Sequence, residues 1–250
     1  MIPYLRKLAG KERFEKSDRH LARYLTFVAG AVNAGGFLAV HQYTSHMSGI
    51  VSSMADNLTL GDIDVVLAGL AAFLSFVAGA ACSAVLVNWG RRLRLQSEYA
   101  LPLVFEAVLL ICFGLLGSNL GQHEWLFVPA TVMLLCFIMG LQNAIITKLS
   151  GARIRTTHVT GLVTDMGIEL GKLFYWNGGR NNPARPLVIA DRRKLKMLAS
   201  LVALFFIGGS AGAIGFKHLG FAASLVLAGV LLMLAIVPVL DDVKAKFSRV

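Results

Sequence analysis

Residues 65–89 form a run with no Asp, Glu, Lys or Arg, and residues 125–147 form a second. About 20 consecutive apolar residues in a helix cross a hydrocarbon core, so the pattern requires a polytopic membrane protein. Composition agrees. The 250-residue chain is 56% hydrophobic and 15% charged, where a soluble domain averages about 45–50% and about 25%. Its mean hydropathy is +0.67. An ordinary soluble enzyme is therefore excluded. The formal charge of +10 reads as an orientation signal and an affinity for anionic membrane lipid, and no nucleic-acid partner is expected. Residues 1–22 are polar and basic and precede the first apolar stretch without a convincing processing site, so they are not a cleavable signal. Cys82, Cys112 and Cys136 all lie in apolar runs. They read as packing residues, with no disulfide framework, metal site or cofactor expected.

Six stretches read as spans: 23–41, 65–89, 100–117, 125–147, 197–216 and 219–240. Two more, 44–60 and 156–176, are only partly apolar. The positive-inside rule decides between topologies. With six spans and the N-terminus inside, the basic N-terminal segment, Arg91, Arg92 and Arg94, Lys148, Arg153 and Arg155, the connector 177–196 and the tail 241–250 are all cytoplasmic. If the two ambiguous stretches also crossed, those six residues from Arg91 to Arg155 would lie outside. The expectation is six spans plus two segments that enter the bilayer and return. Trp89 and Trp125, at opposite ends of their spans, suit the headgroup level.

Self-similarity organises the chain further. Phe27-Val-Ala-Gly-Ala-Val-Asn-Ala34 aligns with Phe137-Ile-Met-Gly-Leu-Gln-Asn-Ala144, both F-x-x-G-x-x-N-A. Thr44-Ser-His-Met-Ser-Gly-Ile-Val51 aligns with Thr156-Thr-His-Val-Thr-Gly-Leu-Val163, both T-[ST]-H-x-[ST]-G-x-V. A third pair matches Phe76-Val-Ala-Gly with Phe206-Ile-Gly-Gly. The halves are 23–118 and 119–240. Three crossings per half invert one half relative to the other, a plan common among transporters. The expected fold is an all-α polytopic membrane protein with six transmembrane helices and two short re-entrant helices in an inverted-topology repeat.

Phe37-Leu, Ser45-His-Met-Ser-Gly, Met139-Gly-Leu-Gln-Asn-Ala and Arg155-Thr-Thr-His-Val-Thr-Gly resemble the YoaK-like family of bacterial integral membrane proteins, a domain of unknown function, over about residues 20–240. The resemblance implies a bacterial inner-membrane location and brings no substrate. Where that family usually has Thr-Gly-Asn, this chain has Ser48-Gly49-Ile50, so no role is carried to position 50.

The candidate site comes from the polar residues of the repeat. Each short helix should begin near Ser48 or Thr160, whose hydroxyls suit an N-cap. Two such N-termini pointing toward mid-depth would form an anion-friendly pocket, with Gly49 and Gly161 allowing close approach. The alternative is a pair of interfacial hairpins whose polar groups bond neighbouring helices. Asn33 and Asn143 are read as pocket residues and Gln142 as helix-to-helix glue. His46 and His158, at matched positions, are candidates for solute contact or proton exchange. Glu106, in an apolar helix with no basic residue one turn away, is the sharpest single residue. An ionised carboxylate at depth costs about 2.5–3.5 kcal/mol, so it reads as a proton carrier unless it reaches Arg91–Arg94. Asp165 is a second proton-coupling candidate, whereas Glu169 reads as a surface partner of Lys172 or Arg180. Gly208 and Gly212 read as a helix-packing face.

These readings lead to a secondary transporter of a small anionic or polar solute, proton-coupled and compatible with a homo-oligomer. A non-transporting scaffold that binds lipid or a partner is the alternative. No catalytic spacing is present, so an enzyme is not expected.

Overall fold

The computed structural model describes residues 2–11, 14–117, 124–149, 157–177 and 186–247. Ser118, Arg153, Arg155, Thr156, Arg180 and the 181–185 stretch lie outside the described residues, as does the side chain of Trp125. All regular structure among the described residues is helical. The helices are α1 (Ile2–Ala9), α2 (Glu15–Val40), α3 (Met47–Leu60), α4 (Ile63–Arg92), α5 (Ala100–Gly117), α6 (Glu124–Leu149), α7 (Val159–Phe174), α8 (Arg192–Leu219) and α9 (Ala223–Phe247). A 3-10 turn at Gly220–Ala222 separates the last two.

Among the described residues, four helical stretches are long and apolar enough to cross a membrane: Glu15–Val40, Ile63–Arg92, Phe127–Leu149 and Arg192–Phe247. The last contains both α8 and α9, and Ala100–Leu115 is a shorter apolar helix. The most apolar window of α4 has a mean hydropathy of 2.3 but is only 11% buried inside the protein. Leu67, Leu74 and Val85 point outward from it, each more than half exposed. Water would not tolerate that surface and lipid does. These helices are compatible with a multi-pass membrane protein.

Four glycines set the frame. In each F-x-x-G motif, a Cβ on the glycine would collide with a backbone carbonyl of another motif's phenylalanine. Gly30 sits on the Phe205 carbonyl and Gly208 on that of Phe27, while Gly79 sits on Phe137 and Gly140 on Phe76. Backbones this close are possible only without a Cβ. The contacts are reciprocal, joining α2 to α8 and α4 to α6, so each pair draws one helix from each half of the chain. They also correct the sequence alignment by one residue, because Phe205-Phe-Ile-Gly208 is the fourth motif. Gly209 has no neighbour nearer than 3.7 Å to its Cβ direction.

Further contacts give helix direction. Lys148 near the end of α6 bonds the Ala84 carbonyl at 3.3 Å and Asn88 Oδ1 at 2.8 Å near the end of α4, so α4 and α6 are parallel. Arg23 on Ser200 at 3.2 Å makes α2 and α8 parallel as well. Gly117 against Phe221 and Gly114 against Ser224 make α5 antiparallel to α9. One end of the bundle gathers most of the basic side chains. There Arg6 of α1 forms a bidentate pair with Asp241 of α9, at 2.5 and 2.8 Å. Asp242 accepts from the backbone N–H groups of Gln96 and Ser97 just before α5, at 2.8 and 2.9 Å. The α1 helix buries Leu8 and Ala9 in the main core, so part of the basic N-terminal segment is a folded cap.

Candidate functional site

After α2 ends at Val40, His41 takes a left-handed conformation with φ 53° and the chain turns back. Thr44 is buried beside Gly36, and the Ser45 hydroxyl donates to Asn33 Oδ1 at 2.9 Å. Asn33 lies seven residues inside the end of α2, so the chain has returned by about 10 Å at 1.5 Å per residue. There α3 starts, packing Ile50 and Met54 against Gly69 of α4 before Gly61, with φ 79°, turns the chain into α4. The second half repeats the device. The Thr157 hydroxyl donates to Asn143 Oδ1 at 2.8 Å, and α7 begins two residues later.

The N-caps lie two residues earlier than the expected Ser48 and Thr160. His46 and His158 are the N-cap residues, without a side-chain cap bond, and Ser48 and Thr160 are exposed in the first turn. The reason is the glycine three residues on. The imidazole of His46 lies where a Cβ of Gly49 would be, and that of His158 lies in the same place over Gly161. Ring over glycine replaces hydroxyl on amide. The first-turn N–H groups are thus left without a side-chain cap in both halves.

Each of the two N-termini lies beside an asparagine six or seven residues inside a helix end. Gly36 of α2 meets Leu135 of α6 at 3.1 Å, and these helices are antiparallel, which sets Asn33 opposite Ile138. Asn143 is five residues further along α6, an axial step of about 8 Å. A groove of about 210 Å³ between α3, α4 and α6 is lined by Ser53, Met54, Gly69, Pro129 and Val132, with Gln42 at its edge. Neither histidine lines it; both are exposed.

Asn33 and Asn143 spend their carbonyl oxygens on Ser45 and Thr157, and Asn143 Nδ2 donates to the Met139 carbonyl at 2.9 Å. Sequence reading missed Ser45 and Thr157 as their partners. The signal was present, because the second position of both T-[ST]-H motifs carries a hydroxyl. A double-mutant cycle on Asn143→Leu and Thr157→Val should give a coupling of about 1 kcal/mol in thermal unfolding of the detergent-solubilised protein. The cycle on Asn33→Leu and Ser45→Ala should match it.

Glu106 is fully buried in α5, and both its carboxyl oxygens lack a hydrogen-bond partner among the described residues. It does not reach the Arg91–Arg94 cluster. Arg91 instead donates to the Tyr99 hydroxyl at 2.8 Å and lies 3.7 Å from Glu98. Gln142 is equally buried, and neither amide atom has a partner among the described residues, so it makes none of the interhelical bonds expected of glue. Gly208 and Gly212 do bring helices together, against Phe27 and Ala31. Among the described residues no three His, Cys, Asp or Glu side chains cluster as a metal set.

Asp165 lies 3.3 Å from Lys194, tying α7 to α8. Glu169 beside it is buried, accepting from Lys172 at 2.9 Å and from the Asp191 N–H at 2.8 Å, with Lys194 at 3.9 Å. The Lys172 and Asp191 bonds hold its carboxyl below the ordinary value of 4.5. A lowered carboxyl contributes stability that is present above its unfolded value and lost as pH falls through its folded one. Attachment of α7 to α8 should therefore persist down to pH 4.5 and weaken only below it. Emission of Trp176, just past α7, in a Trp89→Phe, Trp125→Phe background would report this, and Glu169→Gln should remove that pH dependence.

A family profile described as Protein of unknown function (DUF1275) matches residues 21–237. The chain belongs to that family. It is the YoaK-like family that the sequence motifs resemble, and the matched region holds every element from α3 to α8, with most of α2 and of α9. No curated protein and no solved structure matches the chain. Membership in DUF1275 therefore brings no substrate or partner, and function rests on the geometry above.

Proposed function

We propose that this protein is a secondary transporter of a small anionic or polar solute. In this reading its halves form an inverted repeat of six crossings, with α3 and α7 as re-entrant helices. The observation that carries the reading is the exchange of partners between halves. α2 packs on α8 as α6 packs on α4, α3 lies on α4 as α7 lies on α8, and α5 packs on its counterpart α9. Matched broken helices that meet near mid-depth are how transporters place backbone N–H groups against a solute. In this reading α3 and α7 offer their uncapped first turns, with His46, Ser48 and Gly49 in one half and His158, Thr160 and Gly161 in the other. Asn33 and Asn143 hold the turns in place. Glu106 carries the coupled proton, and Asp165 takes part from the basic end of α7. The basic end faces the cytoplasm of a bacterial inner membrane, with both termini on that side.

The exposed histidines, each set over a glycine outside the groove, favour a second reading: a membrane scaffold that binds lipid or a partner. Reconstituted protein separates the two. A transporter should give solute-dependent acidification or alkalinisation in proteoliposomes across a panel of small anions and polar solutes, lost in Glu106→Gln. No flux with any solute would leave the scaffold. Membrane-impermeant thiol labelling should reach Arg92→Cys and Gly61→Cys from opposite sides, and labelling from one common side would defeat the six-crossing topology.

A further inference from the structure

Glu106 does not stand alone. Thr44 Oγ1, Thr131 Oγ1, Ser83 Oγ and both amide atoms of Gln142 are also buried without a hydrogen-bond partner among the described residues. Ser83 lies on the face of α4 that meets α6. The others share one place. Thr131, Leu135, Ile138 and Gln142 fall at i, i+4, i+7 and i+11 on α6, a single helical face. Leu135 turns that face to Gly36 of α2, where Thr44 also lies. Glu106 sits with Leu103, Leu110 and Phe113 on the buried face of α5, and these residues belong to the same core as Leu135 and Ile138.

The levels are ordered. The Phe105 and Phe137 rings lie 6.3 Å apart, which sets Glu106 near the height of Phe137. Thr131 is six residues from Phe137 toward the N-terminus of α6, away from the basic end, and Gln142 is five residues toward the basic end. At 1.5 Å per residue these are steps of about 8–9 Å on either side of Glu106. Two other buried hydroxyls meet their need locally: Thr26 donates to the carbonyl four residues back and Ser224 to the carbonyl three residues back. Thr131 does not. The row is also one-sided, since the repeat position of Gln142 in α2 is Val32. Buried polar atoms are normally paired with protein or with ordered water, and four unpaired side chains in one row match the second case.

We propose that Thr44, Thr131, Glu106 and Gln142 line a file of water through the core between α2, α5 and α6, along which protons reach the Glu106 carboxyl from both ends. The carboxyl releases its proton to an adjacent water, forming hydronium, and a proton passed along from the other end restores the acid. Thr131 and Gln142 orient the water; they are positioning residues. This rests on the reading of Glu106 as the proton-coupling group and deepens it.

Infrared difference spectroscopy of proteoliposomes at pH 5 tests the file without any solute. The carboxyl C=O band lost in Glu106→Gln identifies the group, and transfer to D2O should shift it within minutes. Gln142→Leu and Thr131→Val should each slow that shift by about tenfold, and Gln142→Asn and Thr131→Ser should restore it. The four variants should elute and melt as folded protein, which separates lost hydration from lost structure. A missing band, a band unmoved by D2O after hours, or wild-type exchange in both apolar variants would overturn the proposal. Rapid exchange in a protein that transports nothing would sink the transporter reading and leave the file standing.

Discussion

Gly140→Leu and Gly208→Leu should each abolish recovery of monodisperse protein on size exclusion, and the corresponding alanine variants should lower stability by about 1–3 kcal/mol. The reason is that the obstacle is backbone. A Cβ at Gly140 meets the Phe76 carbonyl, and a Cβ at Gly208 meets that of Phe27. No side chain can rotate away, so the helices must part. Parting α4 from α6 also pulls Lys148 from Ala84 and Asn88. Gly167 is the control, since nothing lies within 4 Å of its Cβ direction. Gly167→Ala should be neutral or stabilising by about 0.5–1 kcal/mol, because alanine costs less backbone entropy in a helix. Equal loss at Gly167 and Gly140 would show that helix flexibility, rather than close approach, explains these glycines.

Glu106→Met should raise thermal stability while removing any proton-coupled activity. An unpaired buried polar group costs about 1–3 kcal/mol, and methionine fills a similar volume with nothing to satisfy. Water in the core would return part of that cost, so the gain falls within that range or below it. A carboxyl with a structural task would behave in the opposite way, because its removal would strand a partner. Thermal unfolding of the purified variant decides the sign, and a clear drop in stability would mean that Glu106 has a structural partner.

Much of this protein is legible in one dimension. Uncharged runs and basic clusters define the class because lipid requires backbone satisfaction within each segment and excludes isolated charge. The motif F-x-x-G-x-x-N-A and the T-[ST]-H-x-[ST]-G-x-V that follows it reveal the repeat, since both elements recur in order. Capping was less legible. Ser48 and Thr160 have the chemistry of N-caps, yet His46 and His158 take that position because Gly49 and Gly161 leave room for a ring. Propensity lost to packing. The isolation of Glu106 was readable from its apolar neighbours, whereas that of Gln142 was not, since amides between helices usually bond.

An all-helical membrane protein of the DUF1275 family, with three of the four F-x-x-G motifs in register and two matched polar turns, can be read from one dimension, because period, charge and repetition are local properties. Folding in three dimensions sets that Gly30 meets Phe205 and Gly79 meets Phe137, that α1 caps the basic end, and that Thr131, Glu106 and Gln142 are each buried without a partner among the described residues. A glycine carries no mark of its partner. Which carbonyl lies against it depends on how helices far apart in the chain cross, and that is set by the packing of the whole bundle.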